Sequence, residues 1–245
     1  STDGHLVMAY LFLKAQGLAG KLVADIRIDG AGKKVTRSDN CRVSDLSVSS
    51  DNLTFTYEAK SLPYPIDTSY YDNEKHTQAD ALSVIPFMDE MNYEGLSVSG
   101  LSDGYYGLTI GGEFIGRFTA RELERGINMA LLQNTPQYKQ AMKIRQMNEE
   151  RWLKERKMRE FYWVEYNLMR KTGMLWACNE AAVDTLRKYR PHDIFLQWNG
   201  DLWLQYMHKG IREDCVNEQQ DLVNQIYEQN KPIPLRIEIK KFTDL

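Results

Sequence analysis

The sequence predicts an α+β fold: a small antiparallel β-sandwich or curled sheet followed by a long-helix bundle, with a C-terminal strand returning to the sheet. Three observations predict it. Residues 23–118 break into short runs in which apolar and polar residues alternate, separated by turn formers, which is the period of half-buried strands. From Thr119 the period lengthens, and residues 137–170 run without an internal Pro or Gly, far longer than an ordinary helix. Near the end, Leu235, Ile237 and Ile239 alternate with Arg236, Glu238 and Lys240, a late strand over residues 234–242.

Residues 6–15 carry Leu6, Met8, Ala9, Tyr10, Phe12 and Leu13 with only Lys14 charged, and Gly17 follows where a helix C-terminal cap belongs. A helix apolar on most sides needs neighbours on most sides, so packing partners beyond this chain are expected. Candidate strands follow at residues 23–28, 41–48, 53–59, 81–86, 93–98, 104–110 and 113–117. Gly111-Gly112 marks a two-residue hairpin, because both turn positions need positive φ. Residues 62–78, rich in Pro, Tyr, Asp and Ser, read as a long loop. Thr119-Ala120-Arg121-Glu122 has capping-box spacing and opens a helix. The long helix comes after Asn134-Thr135-Pro136. Residues 179–189 and 202–230 add two more, separated by a turn at Trp198-Asn199-Gly200-Asp201.

The 245 residues, 42% hydrophobic and 27% charged, can bury a core without disulfide or metal staples. A net charge of -3 gives no global field for nucleic acid, and no nucleic-acid partner is expected. No apolar run reaches the roughly 18 residues of a membrane span. Residues 6–13 are greasy, but His5 and Asp3 stand where a signal peptide has its basic region. Cys41, Cys178 and Cys215 are odd in number and far apart, which fits neither a disulfide framework nor a zinc site. They read as small buried hydrophobes, and no metal or cofactor is expected.

No G-x-S-x-G elbow, P-loop, H-E-x-x-H, EF-hand loop or dinucleotide fingerprint occurs. His5, His76, His192 and His208 are scattered singly and read as structural or exposed. The charge-dense run 148–160 mixes acids and bases at i,i+3 and i,i+4 spacing, the pattern of a solvated helix face. Phe161, Tyr162, Trp163 and Tyr166 offer either a stacking platform or, more in keeping with helical spacing, core or interface packing. Tyr64, Tyr70 and Tyr71 lie with His76 in a loop beside acids. That is the composition of a glycan-contacting surface, and a capping loop explains it equally.

The opening Ser1-Thr2-Asp3-Gly4-His5-Leu6-Val7-Met8-Ala9 resembles the end of block V of the SGNH (GDSL-type) hydrolases, D-x-x-H-P followed by G-H-x-x-M-A at the start of the last helix. Gly4-His5 matches the second His of that block. The triad spacing would require Asp at position 2, where Thr2 stands, so the resemblance implies that the catalytic Asp and His lie upstream of Ser1. The rest is similar to the C-terminal extension of bacterial esterase-like proteins of this family. Its features recur here in order: the glycine-punctuated hairpin over residues 100–112, Phe118-Thr119-Ala120-Arg121-Glu122-Leu123, Gly126-Ile127-Asn128-Met129-Ala130 and Asn134-Thr135-Pro136.

The resemblance implies an accessory region of a secreted serine esterase, periplasmic or extracellular, whose N-terminal SGNH catalytic domain deacylates carbohydrate or other esters. Residues 1–19 would be the last helix of that domain, 20–118 a β domain, 119–231 a helical region and 232–245 a strand packing on the β domain. His5 and Asn128 would stand at the substrate-cleft rim. Without the G-D-S nucleophile, the oxyanion blocks and D-x-x-H, the chain alone is expected to be inactive. A carbohydrate-binding module on the β part and a helical protein-interaction domain over residues 137–230 are the alternatives.

Overall fold

The computed structural model describes residues 1–70 and 75–242. They form two compact units, residues 1–143 with 230–245 and residues 144–229. The architecture is α+β.

In the first unit, α1 (Thr2–Ala15) ends on Gly17 at φ 73°, with Leu18 N donating to Leu13 O and Gly17 N to Lys14 O. This is a Schellman closure that only a residue tolerant of the left-handed region completes cheaply. Strands β1 (Ala24–Asp29), β2 (Lys34–Asp39), β5 (Glu94–Ser99) and the short β8 (Ile127–Asn128) make one sheet in the order β2-β1-β5-β8. The other sheet runs β3-β4-β9-β6-β7, from β3 (Cys41–Val48), β4 (Asn52–Ala59), β6 (Tyr105–Ile110), β7 (Glu113–Thr119) and β9 (Leu235–Lys241). Every pairing in this second sheet is antiparallel. In the first, β1 and β5 run parallel, Ile26 opposite Leu96, which corrects the wholly antiparallel expectation. The inner faces share one core: Ile26 and Ile28, Leu96 and Val98, Phe55 and Tyr57, Leu108 and Ile110, Ile237 and Ile239. The late strand β9 is central, hydrogen-bonded to β4 on one side and β6 on the other.

The hairpin forms as read, with Gly111 and Gly112 at φ 59° and 85°. So does the capping box: Glu122 N donates to Thr119 Oγ1 at 3.2 Å and Thr119 N to Glu122 Oε2 at 2.7 Å, opening α3 (Ala120–Arg125). Residues 81–86 are not a strand. A 3-10 helix covers Gln78–Ser83, closed by its own box between Thr77 and Asp80, and α2 (Phe87–Glu90) follows. Ala81 and Ile85, four apart, both point into a small core with Leu6, Tyr10, Ile66, Phe87 and Met88, so their spacing is helical. Strand β2 escapes the sequence reading because none of its side chains is buried; the ladder to β1 alone makes it a strand.

Helix α4 (Pro136–Val164) begins in the first unit and runs into the second, where a five-residue π-helix, Glu165–Met169, continues it. The second unit then adds α5 (Glu180–Tyr189), α6 (Ile194–Tyr206) and α7 (Lys209–Gln229). Trp198 to Asp201 is no turn but lies inside α6, and the break falls at Met207-His208. Gly200 is there because the Arg190 side chain crosses it within 3.1–3.3 Å of where a Cβ would stand, on its way to a two-pronged pair with Asp201 at 2.6 and 2.7 Å. The core packs Phe161, Val164, Met169, Ala182, Leu186, Leu196 and Trp203. Glu165 is enclosed there, accepting from Trp203 Nε1 and from Trp176 N, both at 2.8 Å.

Candidate functional site

Helix α1 presents two unlike faces. Leu6 and Tyr10 point inward, and Tyr10 donates to Glu90 Oε2 at 2.7 Å while Lys14 pairs with the same carboxylate. At about 100° per residue, Leu11, Met8, Phe12 and His5 fall on the opposite arc. Met8 is 61%, Leu11 55% and Phe12 63% exposed, so this stripe has no partner among the described residues. His5 is exposed at its N-terminal end. Beside it, His76 Nδ1 lies 4.0 Å from Asp3 and 3.9 Å from Asp80. The Ser1 hydroxyl and the Gly4 N–H hold the Asp3 carboxyl below the usual carboxylate range.

Asn128 and His5 are not brought together by any described contact. Asn128 Oδ1 accepts from Glu94 N and Ala130 N, and its Nδ2 donates to Met88 O and Asn92 O. All four hydrogen-bonding positions of the amide are therefore internal. Its neighbour Asn92, fully buried, clamps the Tyr64 backbone through bonds of 2.8 Å in both directions. The Tyr64 ring meets Phe87 edge-on at 5.5 Å and its hydroxyl accepts from Gln78. Tyr70 is exposed, and Tyr71 lies outside the described residues.

A signal the sequence reading missed is Glu94. Its carboxyl is wholly buried, accepting from the Tyr57 hydroxyl at 2.8 Å and the Gln137 amide at 3.2 Å, with no cation in contact. Burial pushes the group up to about 7, against the pull of the Tyr57 and Gln137 hydrogen bonds.

In the second unit the charged run behaves as a solvated face, with Arg151–Glu155 and Arg156–Glu160 paired one turn apart. Phe161 joins the core, and Trp176, at φ 63°, gathers Phe161, Tyr162 and Tyr166 about it within 5.8–6.3 Å. Cys41 and Cys215 are buried as expected; Cys178 is exposed, 3.4 Å from His208 Nδ1. A hollow of about 350 Å3 opens between Trp163, Leu168, Tyr189 and Leu196, with Lys171 and His192 among its lining. Among the described residues no group of His, Cys, Asp and Glu could hold a metal ion, and no helix is long and apolar enough to cross a membrane.

This helical unit has a known counterpart. Residues 142–231 match the diltiazem deacetylase C-terminal helical domain. A solved structure described as a gut microbial diltiazem-metabolizing enzyme superposes with a TM-score of 0.92 at 39% identity, over 98% of this chain and 55% of its own. The chain thus spans about half the length of that enzyme. A search of curated proteins finds no match. The second unit is accordingly similar to the C-terminal helical domain of a diltiazem deacetylase, and both units together are similar to part of a diltiazem-metabolizing enzyme. The second unit carries the hollow and exposed rings such as Trp176 and Trp198, whereas α1 and its stripe belong to the first unit.

Proposed function

We propose that the chain is the accessory, C-terminal part of a serine esterase of the SGNH (GDSL) type and works with a catalytic domain supplied upstream. One observation carries this reading: near-complete coverage of this chain, at 39% identity, by a diltiazem-metabolizing enzyme almost twice as long. The deacetylase helical-domain match and the block V resemblance of residues 1–9 support it from the two ends of the chain. In such a parent a serine attacks the ester carbonyl, its proton passes to a histidine oriented by an aspartate, and backbone donors hold the oxyanion until water releases the acid. The Met8, Leu11 and Phe12 stripe is the surface this chain offers the catalytic domain, because it is apolar, helical and uncovered. His5, at the end of that stripe, would then stand at the rim of the cleft. The substrates are acetyl or other acyl esters of aromatic or carbohydrate alcohols, and the parent works in the periplasm or outside the cell.

The chain and its full-length parent are to be assayed side by side on p-nitrophenyl acetate and diltiazem. The chain alone should turn over neither above the buffer rate. The parent should hydrolyse both and lose activity to a serine-directed reagent. Turnover by the chain alone, or a parent indifferent to that reagent, would reject the proposal.

A further inference from the structure

The hollow of the second unit has the size of a small-ligand site, about 350 Å3 against the roughly 300–1,000 Å3 of such clefts. Its floor is dry. Leu168 and Leu196, 6% and 3% exposed, form it, and the Trp163 indole, with Phe195 leaning on it at 5.2 Å, makes one wall. Tyr189 adds a second ring. Leu168 belongs to the π-helix, a local widening frequent at functional sites.

The lining holds one cation, Lys171, and one carboxylate, Asp193. Lys171 makes no ion pair among the described residues. The carboxylate present, Asp193, is already engaged: its Oδ1 caps α6, accepting from Phe195 N at 2.8 Å and Leu196 N at 3.2 Å. Its negative charge therefore sits at the positive end of a helix, which offsets it. Among the charged groups of the lining, the one without a partner among the described residues is therefore Lys171. A neutral ring would leave Lys171 unused, and an aromatic ammonium would be repelled.

We propose that this hollow binds an aromatic carboxylate, its ring against Trp163 and Tyr189 over the two leucines and its carboxylate at Lys171. The site is independent of the esterase reading and needs no upstream domain.

The test is calorimetric titration of the full chain with 1-naphthoate and, separately, 1-naphthylmethylammonium, repeated on Lys171→Met and Tyr189→Ala, both of which replace exposed side chains. Naphthoate should saturate, and each substitution should weaken it by about tenfold, the loss of one charge-assisted contact or one ring face. The ammonium should bind at least about tenfold more weakly to the unmodified chain, a comparison that needs no variant. Absence of saturation at millimolar naphthoate, equal affinity in all three proteins, or ammonium binding as tight as naphthoate would each overturn the assignment.

Discussion

Glu94 and Asn128 show how single side chains hold the first unit together. The Glu94 carboxyl rises from an ordinary 4.5 to about 7 because burial strips its water and only neutral donors answer it. Burial and the Glu94 charge likewise push the Tyr57 phenol far up. A carboxyl raised on folding stabilises fully below its unfolded value, about 4.5, and that stabilisation is lost as pH climbs through about 7. Roughly 3 kcal/mol should therefore disappear between those limits. Glu94→Gln keeps the shape without the charge, so urea unfolding at pH 5 and pH 8 should show that slope in the native chain and lack it in the variant. Equal slopes would mean that Glu94 is not the titrating group. None of this was legible in the sequence. Glu94 follows Tyr93 at the start of a predicted strand, and nothing in a local pattern says that a residue 43 positions away will close over it.

At the scale of elements, legibility followed local chemistry. The Gly111-Gly112 turn, the Thr119 and Glu122 box and the charged face of α4 form as their residues dictate, since each closes within a few positions. Residues 81–86 did not, because a short apolar run fits strand and helix alike until a core selects one of them. Gly200 misled for a related reason: Asn-Gly-Asp is a turn sequence, yet here the glycine clears a path for Arg190. The sequence makes helix α1 apolar on most sides, and its outer stripe is uncovered among the described residues. Replacing Met8, Leu11 and Phe12 together by serine should leave the thermal midpoint of the chain within a degree or two, as surface changes do. The same variant should lose association with the catalytic half of the parent in a two-fragment pull-down. A chain that unfolds instead would show that the stripe packs within the chain itself.

For the molecule as a whole, β9 decides the most. It leaves its neighbours β4 and β6 in the sequence, returns after α7 and fills the centre of the five-stranded sheet, with Ile237 and Ile239 completely buried. Deleting residues 231–245 would expose two strand edges and open the core, so the truncated chain should show a collapsed β signal in circular dichroism and aggregate. A soluble, sheet-rich truncation would refute the central role of β9. By itself the sequence determined the α+β class, the hairpin, the caps, the long helix and the existence of a closing strand, because periodicity and turn chemistry act over a few residues. Only the tertiary structure decided that β1 and β5 run parallel, that β9 is central rather than an edge, that Glu94 is sealed and Cys178 exposed, and that Trp163 and Tyr189 share a hollow. Those outcomes depend on which distant segments meet, and burial is a property of the meeting, not of either segment.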